Sequence, residues 1–236
     1  GAAAHNINRQ QTRVRLFETG LRFMPGEKLA QTPMLALLLC GRRTPESWSS
    51  NAESVDFYDM KGEIEALLQA ADQAVTFRAA VRPGLHDGQT AEILLGDEVV
   101  GVTGRLHPST AKTLNLPEQT LVAELKLASV VGRALPDYQE ISKFPEVRRD
   151  IAVIVNRETP SAAVLDAARA SAGAALANAR IFDVYEGDGV AENAKSLAIG
   201  LTFRDQSRTL TDEDINESLS QVIESLGEKL GATLRH

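Results

Sequence analysis

The sequence has one cysteine, four histidines and few aromatic residues, and each scarcity narrows what the chain can do. Cys40 has no second cysteine to pair with and lies in an apolar run. We interpret it as a small core residue and expect a reducing, cytoplasmic setting. The histidines are scattered, without the spacing of a zinc site, at His5, His86, His107 and His236. We therefore expect no metal site.

Long apolar runs and an excess of positive charge are also missing. The longest apolar run, residues 34–40, is the length of one buried strand, whereas a membrane span needs about 20 residues. We expect no membrane contact. The net charge is −7, with 14 basic and 17 acidic residues up to position 141 and 11 and 15 after it. A broad nucleic-acid binder would usually be basic, so we expect no DNA partner, and any RNA contact must come from a local patch.

Motifs for covalent chemistry are absent as well. There is no G-x-S-x-G elbow and no phosphate loop, and the G-V-T-G of residues 101–104 indicates close strand packing instead. The acidic cluster Asp56, Asp59, Glu63 and Glu65 allows a two-carboxylate site or, as we favour, contact with a helix dipole. We expect no catalytic residue. The start of the chain shows neither methionine nor a signal peptide, so we expect a fragment or a trimmed chain.

A stretch with two prolines and no periodicity, ALPDYQEISKFP, marks a domain boundary at about residues 135–145. Before it, apolar patterns predict strands at residues 14–18, 34–40, 75–79 and 121–127, and helices at residues 57–71 and 109–114. Residues 91–95 and 99–103 flank Gly96-Asp97-Glu98 and predict a hairpin. These elements fit one antiparallel sheet with helices packed on it.

After the boundary, the pattern predicts the order β-α-β-β-α-β, which is the ferredoxin-like arrangement. Strands are predicted at residues 151–155, 181–185, 196–204 and 232–234. The first helix is predicted to start at Thr159-Pro160, with the threonine as N-cap, and the second at Thr211. The chain is therefore predicted to be a mixed α/β (α+β) protein of two domains.

Strand alternation predicts two unlike faces for the second sheet. Large residues at positions 197, 199, 201 and 203 face the helices, and small or polar residues at positions 196, 198, 200, 202 and 204 face away. In the preceding strand, Phe182 and Val184 are predicted to point inward, which leaves Asp183 and Tyr185 outward. An exposed tyrosine beside small residues suits stacking of an unpaired base.

Basic residues gather at the edges of this predicted sheet. Lys143, Arg148 and Arg149 precede the first strand, and Arg204 and Arg208 flank the end of the third. Arginine forks pair with phosphates and stack on bases. From the residues alone, this face allows RNA binding, a regulatory small-molecule site, a subunit interface, or a solvated surface with scattered charge.

Three stretches of the second part resemble the anticodon-binding ferredoxin-fold domain of phenylalanine–tRNA ligases. They are SKFPEVRRDIAVIV (142–155), FDVYEGDGVAENAKSLAIGLTF (182–203) and RDQSRTLTDEDIN (204–216). The first part resembles the catalytic-like domain of the same bacterial beta subunit in NRQQTRVRLFETG (8–20), VDFYDMKGEIEALL (55–68) and LHDGQTAEILLGDEVVGVTGRLHP (85–108). The resemblance covers nearly the whole chain, as the C-terminal part of that subunit.

The resemblance implies a division into three segments. Residues 1–134 would form a class II synthetase-like antiparallel sheet domain without an active site, residues 135–141 a linker, and residues 142–235 the ferredoxin-fold anticodon-binding domain. The family assembles as alpha2-beta2 and joins phenylalanine to tRNA-Phe with ATP and magnesium on the alpha subunit. The chain would support that active site without binding ATP or metal itself.

The resemblance also implies where tRNA would bind. The candidate residues are Lys143, Arg148, Arg149, Tyr185, Arg204 and Arg208. Within the matched motifs, Asp150 and Arg208 are alternatively structural, pairing to hold the sheet edge. Two other functions stay open: a stand-alone RNA-binding module, and a regulatory ferredoxin-like domain that binds an amino acid.

Overall fold

A computed structural model of the chain describes residues 1–26, 29–69, 74–131, 138 and 142–235. The chain divides into two compact units, Gly1–Asp137 (unit 1) and Tyr138–His236 (unit 2). Each unit has its own antiparallel sheet with helices, so the predicted mixed α/β class is confirmed. The predicted linker, residues 135–141, lies outside the described residues except for Tyr138.

Unit 1 is built on a six-stranded antiparallel sheet in the order β1-β2-β6-β5-β4-β3. Its strands are β1 (Arg13–Met24), β2 (Ala30–Gly41), β3 (Val75–Ala79), β4 (Leu85–Leu95), β5 (Glu98–Leu106) and β6 (Leu121–Lys126). Its helices are α1 (Ala2–Asn8), α2 (Phe57–Leu68), α3 (Pro108–Thr113) and α4 (Leu127–Val131). No helix among the described residues of the chain is long and apolar enough to cross a membrane.

Helix α2 packs on the sheet of unit 1 through a stripe at helical spacing. Met60, Ile64 and Leu68 recur every four residues and are buried against Leu39, Leu121 and other core residues of the sheet. Asp56 caps the helix by accepting from the backbone N–H groups of Tyr58 and Asp59, while the Asp59 carboxylate accepts from the Asp56 N–H. The predicted helix is confirmed as far as Leu68, and residues 70–73 lie outside the described part.

Strands β1 and β2 extend further than predicted. They pair along their whole length, from Arg13 opposite Gly41 to Met24 opposite Ala30, whereas β6 joins β2 only from Met34 to Leu39. Pro33 lies just outside that shared stretch. A proline has no N–H for a ladder, and it is tolerated here because, among the described strands, this part of β2 pairs on one side only. The predicted strands at residues 14–18 and 34–40 were therefore too short.

Unit 2 has the predicted order β-α-β-β-α-β. Its elements are β7 (Val147–Asn156), α5 (Ser161–Ser171), β8 (Leu176–Tyr185), β9 (Ala194–Phe203), α6 (Asp212–Leu230) and β10 (Thr233–Leu234), with the sheet order β10-β7-β9-β8. Thr211 is the N-cap of α6, as predicted. The prediction of Thr159 as N-cap was wrong, because Pro160 is the extended residue that directly precedes α5.

We predict that Gly101 of β5 does not tolerate a side chain. A Cβ there would overlap the Glu124 carbonyl oxygen and lie 3.1 Å from the Leu125 Cα, so β5 and β6 could not keep their approach. We expect Gly101→Ala to cost about 1–3 kcal/mol of unfolding free energy, measured by denaturant or thermal unfolding.

Gly62 provides the matched control, because it is an exposed glycine in α2 with open space around its Cα. Gly62→Ala is expected to stabilise the chain by about 0.5–1 kcal/mol through helix propensity. Equal stability of the two variants would contradict close packing of β5 on β6.

Candidate nucleic-acid interface

The central strand β9 gives the sheet of unit 2 its two unlike faces. On the inner face, Leu197, Ile199, Leu201 and Phe203 are fully buried under α5 and α6. The outer face of the same strand has only small residues, namely Ala194, Ser196, Ala198, Gly200 and Thr202. The predicted alternation is confirmed, and the described helices of the unit pack on the inner face. Small residues thus form the floor of the outer face.

Arg148 lies flat across this floor. It is on β7 opposite Thr202, so it lies within the first strand and does not precede it as predicted. Its Nε donates to the Asp150 Oδ1 at 2.8 Å. A Cβ on Gly200 would come within 3.0 Å of the Arg148 Nη2, so the glycine leaves room for the guanidinium to lie against the sheet.

Phe182 points outward at a bulge in β8. Ile181 pairs with Ile199, but Asp183 pairs with Ala198, the next residue of β9, so Phe182 is the extra residue on the bulged strand. The Phe182 ring is 49% exposed, and the Arg148 Cζ lies 5.3 Å from its centroid. The prediction that Phe182 points inward was wrong, because Ile181 takes the inward position opposite Ile199 and its neighbour Phe182 therefore points outward.

After the bulge, the side chains of β8 point to the predicted faces of the sheet. Asp183 and Tyr185 pair with the outer-face residues Ala198 and Ser196, as predicted. Val184 pairs with the inner-face residue Leu197, yet 53% of it is exposed. This edge strand therefore buries its inward residue incompletely.

Tyr185 is the second exposed ring of the outer face. Its hydroxyl donates to the Asp188 carbonyl oxygen at 3.3 Å, and its ring is covered by Arg235, whose Cζ lies 4.6 Å from the centroid. The backbone N–H of Arg235 donates to the Ala152 carbonyl oxygen on β7, so this side chain reaches over the sheet towards β8. The sequence reasoning missed Arg235 and Phe182. An arginine just after the predicted last strand was the available signal for Arg235.

The other predicted basic residues are not all on the outer face. Arg149 lies within β7 and does not precede it as predicted; it is opposite the inner-face residue Leu201 and points to the helix side, where it contacts the Asp212 Oδ1 at 3.0 Å. Arg204 follows β9 and contacts the Glu146 Oε1 at 2.7 Å. Lys143 is exposed, and the described part of the chain offers it no ion pair. Arg149 and Arg204 are each held by a carboxylate.

Arg208 belongs to the start of α6. Its two Nη atoms donate to the Asp214 carboxylate at 2.6 and 2.8 Å. The same carboxylate accepts from the Thr211 N–H and hydroxyl, so Arg208 extends a capping box. The alternative pairing of Arg208 with Asp150 was wrong, because Asp150 binds Arg148. Hydrogen bonds to the Asp214 carboxylate hold its pKa well below its usual range, and the bond from Arg208 contributes more than those from Thr211.

The acidic cluster of unit 1 is structural. Arg43 contacts Glu53, Asp56 and Asp59 at 2.9, 2.6 and 3.0 Å, and Glu63 pairs with Arg15. The carboxylates of Asp56 and Asp59 also form the capping box of α2. No group of three or more metal-ligating side chains occurs among the residues described.

Comparison with known families assigns both units. Residues 1–127 match the family described as the phenylalanyl tRNA synthetase beta chain CLM domain, and residues 142–235 match the ferredoxin-fold anticodon binding domain. The chain is 47% identical to the phenylalanine–tRNA ligase beta subunit of Pseudomonas syringae pv. tomato and 46% identical to that of Hahella chejuensis, with 99% of the chain covered in each case. It spans 30% of the length of these relatives. A pyrrolysyl tRNA synthetase from Desulfitobacterium hafniense matches 54% of this chain and 44% of its own, at 16% identity and a TM-score of 0.38.

We predict that Asp214 stabilises unit 2 in a pH-dependent way. Folding lowers the pKa of Asp214. Its carboxylate therefore contributes fully to the free energy of unfolding when the pH is above the pKa of the unfolded state, about 3.9. The contribution is lost as the pH falls towards the lower pKa of the folded state. Asp214→Asn should therefore lower the melting temperature at pH 7, and its difference from the unmodified chain should shrink as the pH falls below about 3.9. A difference that stays constant from pH 7 to pH 2 would show that the Asp214 charge is not involved.

Proposed function

The chain belongs to the phenylalanine–tRNA ligase beta subunit family, and on that premise we propose that it serves an enzyme that joins phenylalanine to tRNA-Phe. Unit 2 binds the anticodon region of the tRNA, and unit 1 packs against the alpha subunit as a non-catalytic support. The observation that carries the proposal is the outer face of the unit 2 sheet, where small residues of β9 lie between exposed rings and arginines.

The outer face suits unpaired bases better than a duplex. Sheets that bind single-stranded RNA offer aromatic rings on which bases stack, and the small residues around the rings leave space for the bases. Tyr185 and Phe182 are 38% and 49% exposed on this face. An anticodon loop presents unpaired bases, so its shape fits a surface of this kind.

The arginines around the sheet can exchange their carboxylate partners for phosphates of the RNA. Exposed ion pairs are worth only about 0–1 kcal/mol, so a phosphate can replace the carboxylate partner of Arg148 or Arg204 at little cost. Arg149 is a weaker candidate, because it lies opposite Leu201 and points to the helix side of the sheet. Lys143 adds an exposed charge beside them. Arg208 is a weaker candidate, since both of its Nη atoms already bind the carboxylate that caps α6.

Unit 1 offers an apolar surface for the alpha subunit. Phe17, Leu21 and Phe23 lie on one face of the edge strand β1, and Phe17 is 77% exposed. Apolar residues gathered on one exposed strand mark a protein interface more often than free surface. In this proposal the alpha subunit binds ATP and magnesium, as the family resemblance implies, and this chain supports that subunit.

We predict that removal of residues 142–236 separates the two half-reactions of the two-subunit enzyme. Phenylalanine-dependent pyrophosphate exchange needs no tRNA and should persist, whereas charging of tRNA-Phe should collapse because the anticodon contact is lost. Both rates are measured on the same preparations, with subunit assembly checked by size-exclusion chromatography. Loss of both activities would make unit 2 a structural support, and survival of both would refute anticodon binding.

We predict that Arg204→Ala weakens binding of tRNA-Phe more at low salt than at high salt. Loss of one phosphate contact should reduce the slope of log affinity against log salt concentration by about 0.7. The matched control is Arg169→Ala on α5, an arginine that also pairs with a carboxylate, Asp166, but on the opposite side of the sheet. An equal loss of affinity at every salt concentration would contradict a phosphate contact by Arg204.

A further inference from the structure

We propose that the outer face of the unit 2 sheet has two separate stacking positions for unpaired bases, one on Tyr185 and one on Phe182. In the free protein each ring is closed by an arginine, Arg235 over Tyr185 and Arg148 over Phe182. The inference rests on the proposed RNA binding of this face and deepens it, because it assigns a second base position and the side chains that guard both.

The spacing of the rings determines the form of the RNA. Tyr185 and Phe182 are three residues apart on β8 with the bulge between them, which corresponds to two to three strand positions, or roughly 7–10 Å at about 3.3 Å per residue. Neighbouring bases within a stack are only about 3.4 Å apart. Two bases therefore cannot stay stacked on each other while each contacts its own ring. The loop must open over this face, with one base at each ring.

The arginines occupy the space that the bases need. A base between a ring and a guanidinium requires about twice the stacking distance, or roughly 7 Å. The Arg235 Cζ is 4.6 Å from the Tyr185 centroid, and the Arg148 Cζ is 5.3 Å from the Phe182 centroid. Each arginine must therefore rise before a base can bind. Its planar fork can then cover the other face of the base or contact a phosphate.

The two arginines are held differently. Arg148 is bound to Asp150 by two hydrogen bonds, of 2.8 and 3.3 Å, and lies against Gly200. Arg235 follows the two-residue strand β10 and is attached by its backbone N–H to Ala152. The Tyr185 position therefore opens first, and the Phe182 position opens when Arg148 releases Asp150.

The test uses the two-subunit enzyme and an anticodon stem-loop RNA with the fluorescent base 2-aminopurine at one loop position at a time. Stacking on a ring quenches this fluorescence, so two loop positions should be quenched by the unmodified enzyme. Phe182→Leu should abolish quenching at one position and weaken binding about tenfold, and Tyr185→Leu should do the same at the other position. Trp48→Leu is the aromatic control, because Trp48 is a 99% exposed side chain in unit 1.

Lysine variants separate stacking from charge. Arg148→Lys and Arg235→Lys keep the positive charge but remove the planar guanidinium group. Each variant should therefore change the quenching only at the ring that its own side chain covers. Arg169→Lys on α5 is the control, and circular dichroism confirms folding of every variant.

The outcomes are distinguishable. If Phe182→Leu changes nothing while Tyr185→Leu abolishes quenching, there is one base position, and the inference fails while the proposed function stands. The inference also fails, again without harm to the proposed function, if both variants affect the same position. If the unmodified enzyme neither binds the stem-loop nor quenches any position, the proposed function itself is wrong.

Discussion

The alternation of side-chain size along β9 is the constraint on which unit 2 depends. Residues 197, 199, 201 and 203 fill the core beneath α5 and α6, and the residues between them are small. A slip of one residue in the pairing of β9 would exchange these two sets, so burial of the large set determines the register with both β7 and β8. The same ten residues thereby stabilise the fold and create the open floor of the candidate interface.

That floor explains how an acidic chain can present arginines to RNA. Arg148 lies over Gly200 and is neutralised by Asp150, and Arg204 is paired with Glu146. Each pair lowers the free positive charge, which suits a chain with a net charge of −7 and discourages binding to arbitrary polyanions. A ligand gains affinity here only if it supplies phosphates in place of these carboxylates and bases for the rings as well.

Periodicity predicted the parts of the structure that follow one period. The order of elements in unit 2, the buried face of β9 and the Thr211 cap were all visible in the sequence. The pairing of β1 with β2 past Pro33 was not, because it depends on which strands lie beside β2. The Arg235–Tyr185 contact was also hidden, since it joins residues from β8 and the end of the chain that only the sheet brings together.

The bulge in β8 shows why strict alternation could not predict the whole candidate site. Ile181 points inward opposite Ile199, so regular pairing from there would turn Phe182 outward but Asp183 and Tyr185 inward. The extra residue reverses the directions beyond it, so Asp183 and Tyr185 lie on the outer face with Phe182, and Val184 turns inward but stays 53% exposed. The bulge therefore keeps the Asp183 carboxylate out of the core and adds the Tyr185 ring to the outer face, where Phe182 already lies next to the arginine that Gly200 accommodates. Both rings face the same way because of this one irregularity in β8.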